Sequence, residues 1–178
     1  MKKLVLALSL MVLLSMIGLS TAAAVIIPLA GTEGYANSIT MDIPATITGY
    51  SSAFDTENVY KSQISILVSG TKSTIFVFLR SFGASRPTDA LNVSADTNTQ
   101  YFQSKNLYLV SDSVAQNKNY GTYREQEFGW VNGSSMFVRT FMLDKKHVAF
   151  VMSPFDGATT AKMFDSIVPG VSNDMYQV

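Results

Sequence analysis

The dipeptide Asn132-Gly133 constrains this chain more than any other pair of residues. Asparagine and glycine accept the positive φ angles of a type I′ turn, and here they separate two runs rich in Phe, Tyr, Trp and Val, at 122–131 and 135–143. The spacing predicts a two-residue hairpin. A second polar turn, Asp144-Lys145-Lys146, leads to another apolar run at 147–152, so the chain doubles back again into a three-stranded meander. A sheet this apolar needs a cover, and the nearest lies just downstream. Asp156 is placed to cap a helix over 157–168, with Phe164, Ile167 and Val168 on one face and Pro169-Gly170 to stop it.

Upstream, residues 38–43 alternate as a half-buried strand should, with Ile39, Met41 and Ile43 on one side, and Pro44 ends the run. A second short strand at 46–50 precedes a polar turn at 55–58. Residues 60–68 and 73–80 read as a hairpin around the Ser-Gly-Thr-Lys turn at 69–72. Arg86-Pro87-Thr88-Asp89 resembles a helix entry, with Thr88 or Asp89 as cap and Leu91, Ala95 and Phe102 sharing a face; a long polar loop is the alternative. Residues 107–114 return to strand, and 117–121 turn into the meander. The expected fold is α+β: an antiparallel β-sheet of about six or seven strands with a C-terminal meander, flanked by two helices.

The N-terminus predicts where such a domain works. Lys2 and Lys3 precede the apolar run 4–19, and Ala22-Ala23-Ala24 offers the small residues of a signal-peptidase site. Residues 1–24 therefore read as a signal peptide, with an uncleaved membrane anchor as the alternative, because no charge occurs between Lys3 and Glu33. In either case the globular part is extracytoplasmic, since the two lysines stay on the cytoplasmic side. Residues 25–37, with Pro28, Gly31 and Gly34, read as a loose spacer, 38–170 as one domain, and 171–178 as a C-terminal tail. Removing residues 1–24 leaves 11 basic residues against 13 acidic ones, a net charge of −2, which attracts no nucleic acid. Cysteine is absent, and with it disulfides, thiolate metal sites and a lipid-modified cysteine.

The run Val138-Arg139-Thr140-Phe141, a charged turn, the strand 147–152 and then a helix containing Phe164-Asp165-Ser166-Ile167 resemble the end of PsbP-like domains. That superfamily also holds the Ran-binding nuclear import factors and small bacterial envelope lipoproteins. By order of elements the likeness extends over about residues 38–168. It implies an antiparallel sheet flanked by helices and accessory or binding roles rather than catalysis. The chain departs from the lipoprotein branch in having no lipobox cysteine, and it matches no ligand residues of the photosynthetic or nuclear members.

A two-residue turn at Asn132-Gly133 sets Gln126 opposite Arg139, Phe128 opposite Phe137 and Arg124 opposite Phe141. Arg124 and Arg139 then share one sheet face with Phe128, Trp130, Phe137 and Phe141, a candidate site for a small anionic ligand or a protein partner, because Arg pairs with carboxylates and stacks on rings. The plainer reading is that arginine stems cover aromatic surface while their heads reach water, and a four-residue turn reshuffles every pair. His147, the only histidine, is expected exposed at a strand end without a partner. No G-x-S-x-G elbow, phosphate loop or dinucleotide fingerprint is present. Asp42, Asp55, Glu57, Glu125 and Glu127 lack the spacing of metal ligands or paired acids. No catalytic residue, metal or cofactor is therefore expected. Asn92 and Asn132 begin N-glycosylation sequons, which count only in a host with that machinery. The sequence thus reads as an exported noncatalytic accessory or binding module at the outer face of the cell membrane. The alternatives are a secreted or anchored hydrolase with an unrecognised site, and a structural cell-surface protein.

Overall fold

Two successive positive φ angles, 48° at Ser69 and 82° at Gly70, place the type I′ turn of this chain between β4 (Val59–Val68) and β5 (Thr71–Ser81). The computed structural model describes residues 22–32, 35–83 and 89–170. The predicted hairpin 60–68/73–80 is present, tightened to a two-residue loop with Val68 paired to Thr71. β3 (Thr46–Thr56) runs further than expected, past a bulge between Ile47 and Gly49, and pairs along β4.

The remaining strands are β1 (Ala23–Ala30), β2 (Ala36–Ile43), β6 (Tyr108–Asn117), β7 (Gly121–Gly129), β8 (Ser135–Met142), β9 (His147–Ser153) and β10 (Val168–Gly170), with helices α1 (Ala90–Ser104) and α2 (Gly157–Asp165). Seven strands form one antiparallel sheet in the order β3-β4-β5-β9-β8-β7-β6, and three form a smaller sheet in the order β1-β2-β10. Among the described residues the architecture is α+β, mostly antiparallel sheet with two helices.

Both helix starts follow the capping chemistry legible in the sequence. Asp89 accepts from the Asn92 amide at 3.2 Å, and Asp156 from the Thr159 amide at 3.0 Å. The core has two parts. On one face of the large sheet, Ile64, Ile75, Leu79 and Phe141 pack against Ile27 and Met41 of the small sheet and Phe164 of α2. On the other, Phe102 of α1 packs over Phe128, Val138 and Phe150.

Two expectations need correction. The loose spacer expected at 25–37 is strand over most of its described residues: β1 pairs with β2 from Ala23↔Ile43 to Ala30↔Ala36, and Ile27 and Leu29 are buried. The two-residue period was hidden because the outward set, including Ile26 at 63% exposed, is as apolar as the inward one. Pro28 is tolerated because β1 is an edge strand. Pro169-Gly170 does more than end a helix, since β10 pairs with β2 and closes the small sheet. Residues 1–21 of the expected signal or anchor segment and the tail at 171–178 lie outside the described residues, whereas Ala23 and Ala24, at the expected cleavage site, already pair with Ile43 and Asp42 in β1. Among the described residues no helix is long and apolar enough to cross a membrane.

Candidate functional site

The loop between β7 and β8 decides which predicted site residues can meet. Trp130 donates its amide to Ser134 O at 2.9 Å, Gly133 donates to Trp130 O at 2.9 Å, and only Gly133 in this loop has positive φ, at 84°. This is a three-residue loop with Gly in the left-handed position, not a type I′ turn. Asn132 uses its side chain instead, accepting from the Ser134 amide and hydroxyl at 3.1 and 2.6 Å. One extra loop residue shifts the register by one: Arg124 stands opposite Thr140, Glu125 opposite Arg139, Gln126 opposite Val138 and Phe128 opposite Met136.

Because side chains alternate across a strand, that slip puts Arg124 and Arg139 on opposite faces of the sheet. The shared face expected for them does not form. Phe128 and Trp130 belong to the cluster under α1, while Phe137 packs against the core on the other side. Both arginines are also already engaged. Arg139, 2% exposed, donates to Glu125 and Asp165 at 2.8 Å and to the Tyr120 hydroxyl at 2.8 Å, and lies over the Tyr123 ring at 4.1 Å. Burial disfavours its charge, but the bonds to Asp165, Tyr120 and Glu125 more than offset this, and its pKa rises. Burial also pushes the Tyr120 hydroxyl up to about 12 against the influence of Arg139. Arg124 binds Asp112, Asp96 and Asn92, and the bond to Asp112 raises its pKa most. Each guanidinium is thus already paired with two carboxylates.

His147 is not an exposed strand end. It is 8% exposed, its ring stacks on Tyr35 at 3.5 Å and 14°, and its Nδ1 lies 2.9 Å from both Asp144 oxygens. The turn carboxylate was adjacent in sequence; the stacking partner comes from 112 positions away, just before β2. Of the sequon residues, Asn132 is exposed in its loop, whereas Asn92 lies on α1 with its side chain bonded to Asp89 and Arg124.

Arg80 differs from the other two described arginines. It sits on the α1 side of β5, opposite Val148, with its guanidinium 5.4 Å above the Phe150 ring. Its one hydrogen bond among the described residues runs from Nη1 to the Ser94 carbonyl at 3.3 Å, and no described carboxylate pairs with it. Burial pulls its pKa below the usual arginine value. Phe150 stacks on Phe78 at 4.6 Å and 10°, and Phe76 follows at 6.1 Å. α1 lies over β6 to β9, which leaves this face of β3, β4 and β5 open among the described residues. Phe76, Phe78 and Arg80 are accordingly only half-buried. The Oγ of Ser94 is buried without a partner, as is Oε1 of Gln126 deeper under the helix. Sequence reasoning passed over Arg80 as the end of an apolar strand; its signal was a cation with no acidic neighbour from 73 to 88.

Two open depressions mark the surface elsewhere. One of about 440 Å³ is lined by Thr48, Ser65, Lys72 and Thr74, and one of about 260 Å³ by Asp42, Thr159 and Lys162. Hydroxyls stand beside Lys72 in the first and beside Asp42 and Lys162 in the second, but among the described residues none hydrogen-bonds to those groups, and the Thr159 hydroxyl is turned to Asp156 at 2.7 Å. No group of three or more His, Asp or Glu among the described residues is arranged to hold a metal ion. Comparison with family models, curated proteins and solved structures finds no match to this chain.

Proposed function

We propose that this protein is an exported, noncatalytic accessory or binding module working at the outer face of the cell membrane. The observation that carries this reading is Arg80, a half-buried guanidinium with no described carboxylate partner, set beside aromatic rings on an open sheet face. Buried charge is normally paired, so one without a described partner on an open sheet face points to an anion supplied from outside. The apolar run after Lys2-Lys3 supports export. The antiparallel sheet with a helix on each face supports kinship with PsbP-like domains, where accessory and binding roles prevail.

Activity profiling of the purified protein tests the noncatalytic part: we expect no turnover, and turnover abolished by substituting one surface residue refutes it. Labelling intact cells with a membrane-impermeant amine reagent tests location. Lysines of the domain, such as Lys118 and Lys145, should react without lysis, and protection until lysis refutes the outward orientation.

A further inference from the structure

We infer that the corner between β5 and α1 is a binding site for a small amphiphilic monocarboxylate, held by the Arg80 guanidinium with its apolar body against Phe78 and Phe76. This rests on the binding-module reading and supplies its ligand class.

The donor count points to a carboxylate. Nη1 of Arg80 is occupied by the Ser94 carbonyl, while Nε and Nη2 have no acceptor among the described residues. An arginine's remaining paired N–H groups match the two oxygens of a carboxylate in a planar fork. Ser94 adds a hydroxyl, buried and without a partner, on the same residue that anchors the guanidinium. The charge count agrees. Lys61, which stands opposite Phe78 across the β4–β5 ladder, is engaged by Asp55 at 3.0 Å, so among the described residues the corner offers one uncompensated positive charge. One charge suits a monoanion; a phosphate dianion would remain half compensated. Phe150 and Phe78 form a low-dielectric wall on one side of the guanidinium, which strengthens an ion pair there relative to open water. The half-buried Phe76 and Phe78 rings continue away from the charge along β5 and give an apolar or aromatic body a surface to stack on.

The test uses the full-length protein with three probes: phenylacetate, its neutral analogue phenylacetamide, and inorganic phosphate. Amide NMR shifts locate binding and calorimetry measures it. Phenylacetate should saturate shifts at Phe78, Arg80 and Ser94, and phenylacetamide should bind about tenfold or more weakly, the loss expected for a charge-assisted bond. Arg80→Gln should weaken phenylacetate by a similar factor while near-ultraviolet circular dichroism stays native. Arg80→Lys, which keeps the charge but not the fork, should weaken it as well. Equal affinity for acid and amide overturns the inference on the unaltered protein, whatever the variants do. Preference for phosphate, or saturable shifts remote from Arg80, overturns the ligand class and leaves a binding module standing. No shift from any probe at about 10 mM overturns the site and removes the observation on which the binding reading rests.

Discussion

Phe164→Ala tests the closure of the fold by α2. Phe164 is fully buried, stands in the main core cluster with Phe141, and has the Arg139 guanidinium 4.9 Å from its ring. Its carbonyl also accepts from the Tyr120 hydroxyl at 3.2 Å. A nine-residue helix is marginal alone, so its place depends on this apolar face. Truncating a buried Phe to Ala costs about 3–5 kcal/mol, and losing a desolvated cation–π contact of about 0.5–2 kcal/mol puts this site at the upper end. That is a large share of the about 5–15 kcal/mol that holds a domain together. For a chain of this length each kcal/mol shifts Tm by about 2–4 °C, so the melt should fall by on the order of 10–15 °C. Phe164→Leu, which refills most of the volume, should cost about 1–2 kcal/mol. Tyr101→Ala, at a residue 57% exposed, is the control. A Phe164→Ala melt within about 3 °C of that control would refute the packing argument.

His147→Gln should cost about 1–2 kcal/mol in urea unfolding, because it removes a stacked ring and the Asp144 contact; a value near zero would return the histidine to the exposed strand end. Burial alone would raise the Asp144 carboxyl, but bonds from the Lys146 amide and His147 bring its pKa below the usual range. Its contribution is thus full above about pH 4 and lost as pH falls through the lowered value. The stability gap between the natural protein and Asp144→Asn should close as pH falls from about 4 through the lowered value, and a gap that widens over that acid window would contradict the sign. Deleting residues 22–30 should leave a protein that melts non-cooperatively or aggregates, since it removes buried Ile27 and Leu29 from the core and the strand that pairs along β2; an unchanged melt would mean that the strand is dispensable. Gly133→Ala should cost about 1 kcal/mol by calorimetry, because the residue has φ of 84° with open space around it, so strain alone is read.

The sequence by itself determined the elements whose causes are local. Asp89 and Asp156 cap helices because a carboxylate can reach the amide three residues on, and Ile39, Met41 and Ile43 face inward because alternation is a property of one strand. The hairpin before residue 81 and the meander after 121 were legible for the same reason. Only the tertiary structure decided what depends on partners far along the chain. Asn132-Gly133 suits more than one loop, and a single extra loop residue separated the two arginines predicted to cooperate. β1 and β10 became strands because β2 lay between them, and a segment apolar on both sides carries no period to announce that pairing. His147 acquired Tyr35, and Arg80 was left without a described carboxylate, because side-chain company is set by which strands become neighbours. Backbone propensity acts within a few residues, whereas burial and charge pairing act across a core that exists only after the chain has closed on itself.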